Sequence, residues 1–434
     1  MDGDRPIVVA LTGQFGAGCT TVAEYLRREG QFRSYKFSAI IEEAARRRLG
    51  HDVYNRLQPV ERRRVLQDEG NTLREEDPAA IAKAILGQIE VDGAAAGDVV
   101  VETIRNPAEV SAFRDAYAGR CFVVSLDAPV ETRFKRKQTE YGDNLEQFKK
   151  DDARDKGEGE PEYGQRTDQC VYLADISINN HEHLDSRTGW NLFFTKIASY
   201  LSLMRQPAFR RPTYEELYMR QAYALSLISS CTKRQVGAII VSETAGHGAP
   251  PEGDVGSRGS YVIAAGFNDV PVGDLECKER GPQDDPRFCP KDDEEERKLR
   301  AMRYCPQCGV ELLLPEGKVR GFRCPNCDAR LPRDFVPGRM LDTCRAVHAE
   351  EGAILQAAKL GSTALRGATL YTTTFPCPLC GRSIINAGIK KVVYNEPYPA
   401  DATVDILQRC GVALEKYEGV NAWAFDRMFR GMLD

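Results

Sequence analysis

Apolar positions along this chain fall into two kinds of run, and the change of period separates strands from helices. Residues 6–13, 97–102 and 121–127 are short, rich in β-branched and apolar residues, and predict strands, while 174–180 and the helix after it close the domain. Residues 189–204 instead repeat apolar positions every three or four residues and predict a helix. Strand–helix alternation of this kind predicts a parallel α/β sheet in the amino-terminal half. Residues 149–164 are charged, glycine-containing and aperiodic, and predict a mobile loop. Residues 205–213 carry two prolines and three arginines and predict a linker, giving domains at 1–204 and 214–434.

Past the linker, 214–230 has a helical period, and 232–243 and 261–273 are apolar strands split by a loop rich in Gly, Pro and Ser. Ala353, Ile354, Ala357 and Leu360 return to helical spacing and put His348 in a first turn. Residues 368–375 are β-branched and aromatic and predict a strand, after which Pro376 opens another helix.

Two helix starts thus carry His348 and Glu350 as H-x-E and Pro376, Cys377 and Cys380 as P-C-x-x-C, the paired signature of zinc nucleobase deaminases. One imidazole and two thiolates leave a fourth tetrahedral position for water, the mark of a catalytic zinc. Glu350 lies two residues beyond the ligand histidine and is the candidate general acid/base rather than a ligand. Upstream, Cys305, Cys308, Cys324 and Cys327 have the spacing of two knuckles closing a four-thiolate site, a structural zinc ribbon inserted at about 300–335. The acidic and basic run 292–300 before it reads as a solvated helix face.

At 434 residues the chain exceeds a single core, and 42% hydrophobic with 28% charged residues is ordinary for a globular protein. It has neither a signal-peptide pattern nor an apolar run long enough to span a bilayer, so a cytoplasmic location away from membranes is expected. The fourteen cysteines, several in CxxC pairs, then read as metal ligands rather than disulfides. A net charge of −5 argues against indiscriminate nucleic-acid binding.

After the first strand, Gly13, Gly16 and Gly18 lead into a helix near Thr20, so that backbone N–H groups and the helix dipole can meet phosphate oxygens. The stretch resembles the phosphate-binding loop of nucleotide kinases, G-x-x-x-x-G-K-[ST], with one departure: Cys19 stands where the lysine belongs. Thr20 keeps the hydroxyl that would meet Mg²⁺, and Glu102, ending the second predicted strand, could hold that ion through water. Without the lysine, binding of a nucleoside triphosphate should survive better than phosphoryl transfer. The basic helix carrying Arg133, Arg136 and Lys137 resembles the lid of nucleoside monophosphate kinases, with a solvated face as the equal alternative.

Residues 229–241, 264–273, 344–361, 367–394 and 409–414 look like deoxycytidylate deaminases in sequence order. The resemblance implies a five-stranded mixed sheet between helices, Asn268 hydrogen-bonding a nucleotide, Lys359 near its 5′-phosphate, and a second structural zinc at Cys277, Cys289 and Cys344, with Cys231 as a further candidate. Glu351 and Gly352 depart from the usual pattern. With its lysine-less kinase-like domain the whole chain resembles the anti-phage dCTP deaminases. That implies hydrolytic deamination of dCTP and dCMP through a zinc-activated water, a homo-oligomer, and an inhibitory small RNA as partner. A housekeeping dCMP deaminase and an RNA-regulated nucleotide sensor with secondary deaminase activity are the competing readings.

Overall fold

In the computed structural model the described residues are 6–93, 97–181, 187–243, 260–282, 285, 288–302, 304–305, 307–312, 323–329, 344–361, 365–397 and 401–430. The predicted loop at 244–259 and much of the ribbon insertion lie outside them. The chain divides into two compact units, Met1–Arg220 with Lys416–Asp434, and Gln221–Glu415.

The first unit opens with β1 (Val8–Gly13), α1 (Cys19–Glu29), β2 (Arg33–Lys36) and four helices, α2 (Phe37–Leu49), α3 (His51–Arg56), α4 (Pro59–Arg74) and α5 (Ala80–Val91). Then come β3 (Val99–Glu102), α6 (Pro107–Ala116), β4 (Cys121–Asp127), α7 (Val130–Arg136), α8 (Gln138–Tyr141), α9 (Leu145–Lys156), α10 (Thr167–Tyr172), β5 (Ile176–Asn179) and α11 (Arg187–Arg205). β1 pairs in parallel with β3 and β4, β2 with β3, and β4 with β5. Along β1, Val9 and Leu11 enter one core while Val8 and Ala10 enter the other, as the two-residue period requires of a strand covered on both faces.

Two expectations change here. Residues 145–156 form helix α9, where a mobile loop was expected for 149–164, and Asp151, Asp152 and Asp155 on it are buried. Their carboxylates meet arginines from elsewhere in the unit: Arg133 grips Asp152 with two N–H groups, Nη2 at 2.9 Å, and Arg63 reaches Asp155 at 3.2 Å. Composition alone priced these aspartates as solvated, whereas tertiary pairing makes the helix. The second change is at the end of the chain. β11 (Gly419–Val420) adds antiparallel to β5 as the edge of the first sheet, with Asn421 Nδ2 donating to Ala174 O at 2.8 Å, and α17 (Phe425–Phe429) buries Met428 in the same core. Residues 416–434, expected in the second domain, therefore belong to the first unit, and the other boundary falls within α12 (Tyr214–Ser226) rather than at the linker.

The second unit contains β6 (Gly237–Glu243), β7 (Ser260–Phe267), a 3₁₀ turn at Cys277–Glu279, α13 (Pro290–Met302), α14 (Ala349–Lys359), β8 (Thr369–Thr374), α15 (Pro378–Ala387), β9 (Lys391–Glu396), α16 (Asp401–Arg409) and β10 (Ala413–Lys416). Its sheet order is β10-β9-β8-β6-β7, antiparallel at β7–β6 and β6–β8 and parallel at β8–β9, the mixed five-stranded sheet anticipated. Ala349, Ala353 and Ala357 recur every four residues on α14 and face this core. Small residues let the helix lie close on β7. A Cβ on Gly266 would stand 2.2 Å from Ala349 O, so glycine is required there. Gly352 lies beside it, its would-be Cβ 3.8 Å from Gly266 Cα, so the unusual Gly352 belongs to the same close packing.

Candidate metal centre and phosphate-binding loop

His348 is the N-cap of α14 and Cys377 the N-cap of α15, so both helices begin one or two residues later than the sequence suggests. Cys377 Sγ accepts the N–H of Cys380 at 3.5 Å, because the first turn of a helix leaves that donor free. His348 Nδ1 lies 3.3 Å from each sulfur, and all three ligand atoms fall within 4.8 Å of one another. A tetrahedral zinc with bonds of about 2.0–2.3 Å has ligand–ligand edges of about 3.5–3.8 Å, so the set fits that ion. The environment suits a cation as well. Hydrogen bonding from Cys380 and His348 pulls the Cys377 thiol down to about 4, while the Cys377 thiolate pushes Cys380 up. A dication would displace the protons these ligands carry.

Glu350, in the first turn of α14, is buried, and burial raises its carboxyl above the usual range, with the Cys377 charge adding to the effect and its own backbone N–H and the His348 charge opposing it. A buried carboxyl beside a metal site, tuned toward neutrality, is what a proton carrier needs.

Among the described residues the second such group is Cys305, Cys308, Cys324 and Cys327. Its halves repeat one geometry. Gly309 N donates to Cys305 O and Asp328 N to Cys324 O, while Cys305 N and Cys324 N donate to Val310 O and Ala329 O. Cys305–Cys327 and Cys308–Cys324 sulfurs are 3.6 Å apart, matching the edges of a four-sulfur zinc site. Cys277, Cys231, Cys289 and Cys344 lie near enough for their charges to interact, raising the Cys277 thiol after burial, but these four are not drawn within 4.8 Å of one another.

The two residues expected at the nucleotide sit in different surroundings. Asn268 is buried, and its amide already holds the chain: Oδ1 accepts from Val236 N at 2.7 Å and Ser229 Oγ at 2.8 Å, and Nδ2 donates to Arg234 O at 2.9 Å. It fixes the 229–236 loop. Lys359 is the last residue of α14 and exposed, eleven residues and so about 16 Å along the axis from His348, and the structure does not bring it to the cluster.

In the first unit the loop 13–20 curls into α1 as its glycines require. Gly18 has φ +112°, and a Cβ there would meet Asn180 Nδ2 at 2.5 Å. Carbonyls of Phe15, Gly16 and Ala17 accept from Arg133, Arg136 and Asn180, so Arg133 and Arg136 brace the loop, and Arg133 is buried rather than on a solvated face. The Cys19 thiol is buried, and burial lifts it to about 12, outweighing the Arg105 charge. Thr20 and Glu102 line one recess, where Glu102 accepts from Ser34 Oγ at 3.0 Å and pairs with Lys36 at 3.4 Å. Arg63 and Arg74, on α4, face the loop cleft and were not singled out in the sequence. The arginine-rich run 62–64 was the available signal.

No helix among the described residues is long and apolar enough to cross a membrane. Residues 212–396 match the cytidine and deoxycytidylate deaminase zinc-binding region, and residues 9–157 match an AAA domain. A deoxycytidylate deaminase of Enterobacteria phage T2 is 47% identical over 201 residues, 44% of this chain and 85% of that one. Its counterpart in Schizosaccharomyces pombe is 29% identical over 248 residues, 56% of this chain but 54% of the relative, so the chain spans about half of that protein's length. The Saccharomyces cerevisiae enzyme is 26% identical over 299 residues, 68% of this chain and 74% of that one. With its HxE and PCxxC residues gathered at two helix starts and a relative of this identity covered over most of its length, the chain belongs to the cytidine and deoxycytidylate deaminase family, and carries a P-loop kinase-like domain ahead of the deaminase region.

Proposed function

We propose that this chain deaminates deoxycytidine nucleotides hydrolytically, with His348, Cys377 and Cys380 holding the catalytic zinc and Glu350 carrying the proton. The observation that carries the reading is the convergence of one imidazole nitrogen and two sulfurs beside the buried Glu350 carboxyl. A zinc ion in that place lowers the pKa of water and stabilises negative charge on the oxygen added at C4 of cytosine. Glu350 takes one proton of the attacking water and delivers it to N3, then takes the remaining proton from the oxygen added at C4 and delivers it to the amine, so that the C–N bond breaks, ammonia leaves and the uracil carbonyl forms. Cys305, Cys308, Cys324 and Cys327 hold a second zinc whose four sulfurs leave no place for substrate.

The finer reading is dCTP as well as dCMP, in a homo-oligomer that depletes dCTP during phage infection and is restrained by a small RNA. Its support is the order of the domains, a lysine-less kinase-like unit ahead of a deaminase, and the chain's resemblance to anti-phage dCTP deaminases. The printed names of the relatives favour a second reading, a housekeeping enzyme acting on dCMP. Ammonia release from dCMP, dCTP and a cytosine-containing oligonucleotide, before and after ribonuclease treatment, separates them. Turnover of dCTP that rises after ribonuclease supports the first; turnover of dCMP alone, indifferent to ribonuclease, supports the second. Release from neither nucleotide would remove both.

A further inference from the structure

The first unit contains a cleft of about 890 Å³ lined by the 13–21 loop together with Arg63, Arg74 and Arg105. The lysine that such a loop uses against phosphate charge is replaced by Cys19, whose side chain is turned into the core. The cations nearby come from other elements. Arg63, from α4, lies over the ring of Phe15 in the loop itself, 3.3 Å from its centroid, and Arg105 is close enough for its charge to act on the Cys19 thiol.

These guanidiniums outnumber their carboxylates. Arg63 and Arg105 share the fully buried Asp155, and Arg74 Nε donates to Glu109 at 2.7 Å while Glu109 also accepts the Arg105 backbone N–H at 2.9 Å. Three guanidiniums thus share two carboxylates at contact distance, while Asp151, Glu140 and Asp152 act on Arg63 from further away. Arg74 is only 1% exposed, yet its Nη2 has no hydrogen-bond partner. Burial, with the Arg63 and Arg74 charges after it, brings Arg105 down to about 9.

We propose that Arg63, Arg74 and Arg105 form an anion site that stands in for the missing lysine, so that the loop and the arginines together hold the polyphosphate of a nucleotide. Guanidinium groups suit this task because their fork of donors matches phosphate oxygens. The inference rests on reading the loop as a nucleotide site, and it adds where the neutralising charge comes from.

The test uses the full-length, zinc-loaded protein with inorganic tripolyphosphate and ATP as probes, by calorimetry. Wild type should bind tripolyphosphate and ATP competitively. Arg63→Gln and Arg105→Gln should each weaken both probes at least about tenfold, and Arg63→Lys, which keeps the charge, should stay within about threefold of wild type. Since either glutamine variant could lose its fold through Asp155, a second measurement uses wild type alone: tripolyphosphate should slow phenylglyoxal labelling of Arg63 and Arg105, mapped by mass spectrometry, several-fold. No binding of either probe by wild type overturns the nucleotide reading of the loop and this inference with it. Binding that is undiminished in folded glutamine variants, or labelling that tripolyphosphate leaves unchanged, overturns the arginine site alone.

Discussion

The two units place polar chemistry in opposite ways. In the deaminase region the reactive groups sit at the first residues of two helices, and their thiols split, Cys377 pulled down to about 4 by Cys380 and His348 while Cys380 is pushed up. In the kinase-like unit the charged groups come from α4, the β3–α6 turn, α7 and α9, and the thiols are held protonated, Cys19 and Cys121 pushed up to about 12 by burial. A metal site needs a few ligands at fixed short range, which a local motif can supply. Neutralising buried charge needs partners from distant elements, which only the fold can bring together.

The sharpest way to break the comparison is Glu350→Gln, which should lower deamination by roughly 10²–10⁴-fold, the scale of a lost general acid/base, while zinc content stays unchanged. Ammonia release and metal analysis on one sample check both halves, and retained activity would remove Glu350 from its role. Next in size is Arg133→Ala, which removes the two guanidinium bonds to the buried Asp152, leaves it only Lys156 at 3.0 Å, and should destabilise the first unit by about 3–5 kcal/mol in denaturant titration. A loss below about 1 kcal/mol would mean α9 does not depend on its aspartate–arginine pairs.

The third prediction is alkaline instability of the first unit. The folded state holds the protons of Cys19 and Cys121 up to about 12, whereas the unfolded chain releases them near 9, so above pH 9 the unfolded state binds fewer protons and stability falls. By pH 10.5 the loss is roughly 2 kcal/mol per thiol, at about 1.4 kcal/mol for each pH step. Denaturation midpoints at pH 8 and 10.5 measure it, and Cys121→Val should flatten the difference. Gly266→Ala is smaller in effect. A new Cβ 2.2 Å from Ala349 O forces α14 off β7 and should cost about 1–3 kcal/mol, accompanied by weaker zinc retention as His348 moves with its helix. Least affected is Lys359→Ala, at the far end of α14, which should leave kcat/KM for dCMP within about twofold; a large rise in KM would restore the lysine to the nucleotide site.

The metal centre was legible residue by residue because HxE and PCxxC each lie within one helix start, where spacing and geometry are nearly the same statement. Strands β1, β3 and β4 were legible too, since a strand buried on both faces must be apolar throughout. Helix α9 was misread because Asp151, Asp152 and Asp155 look like solvent-facing residues until their arginines are known. What the sequence did not show of Asn268 is that its amide holds the backbone at Val236 and Arg234.

By itself the sequence determined the apolar strands β1, β3, β4, β6, β7 and β8, where the zinc-ligand types fall, and that the loop after β1 lacks its lysine, because these depend on neighbours a few residues apart. Only the tertiary structure decided that 416–434 completes the first sheet, that buried aspartates order α9, and that Arg63, Arg74 and Arg105 gather at the loop. Such contacts join residues dozens to hundreds of positions apart, and their free energy exists only once the chain has closed on itself.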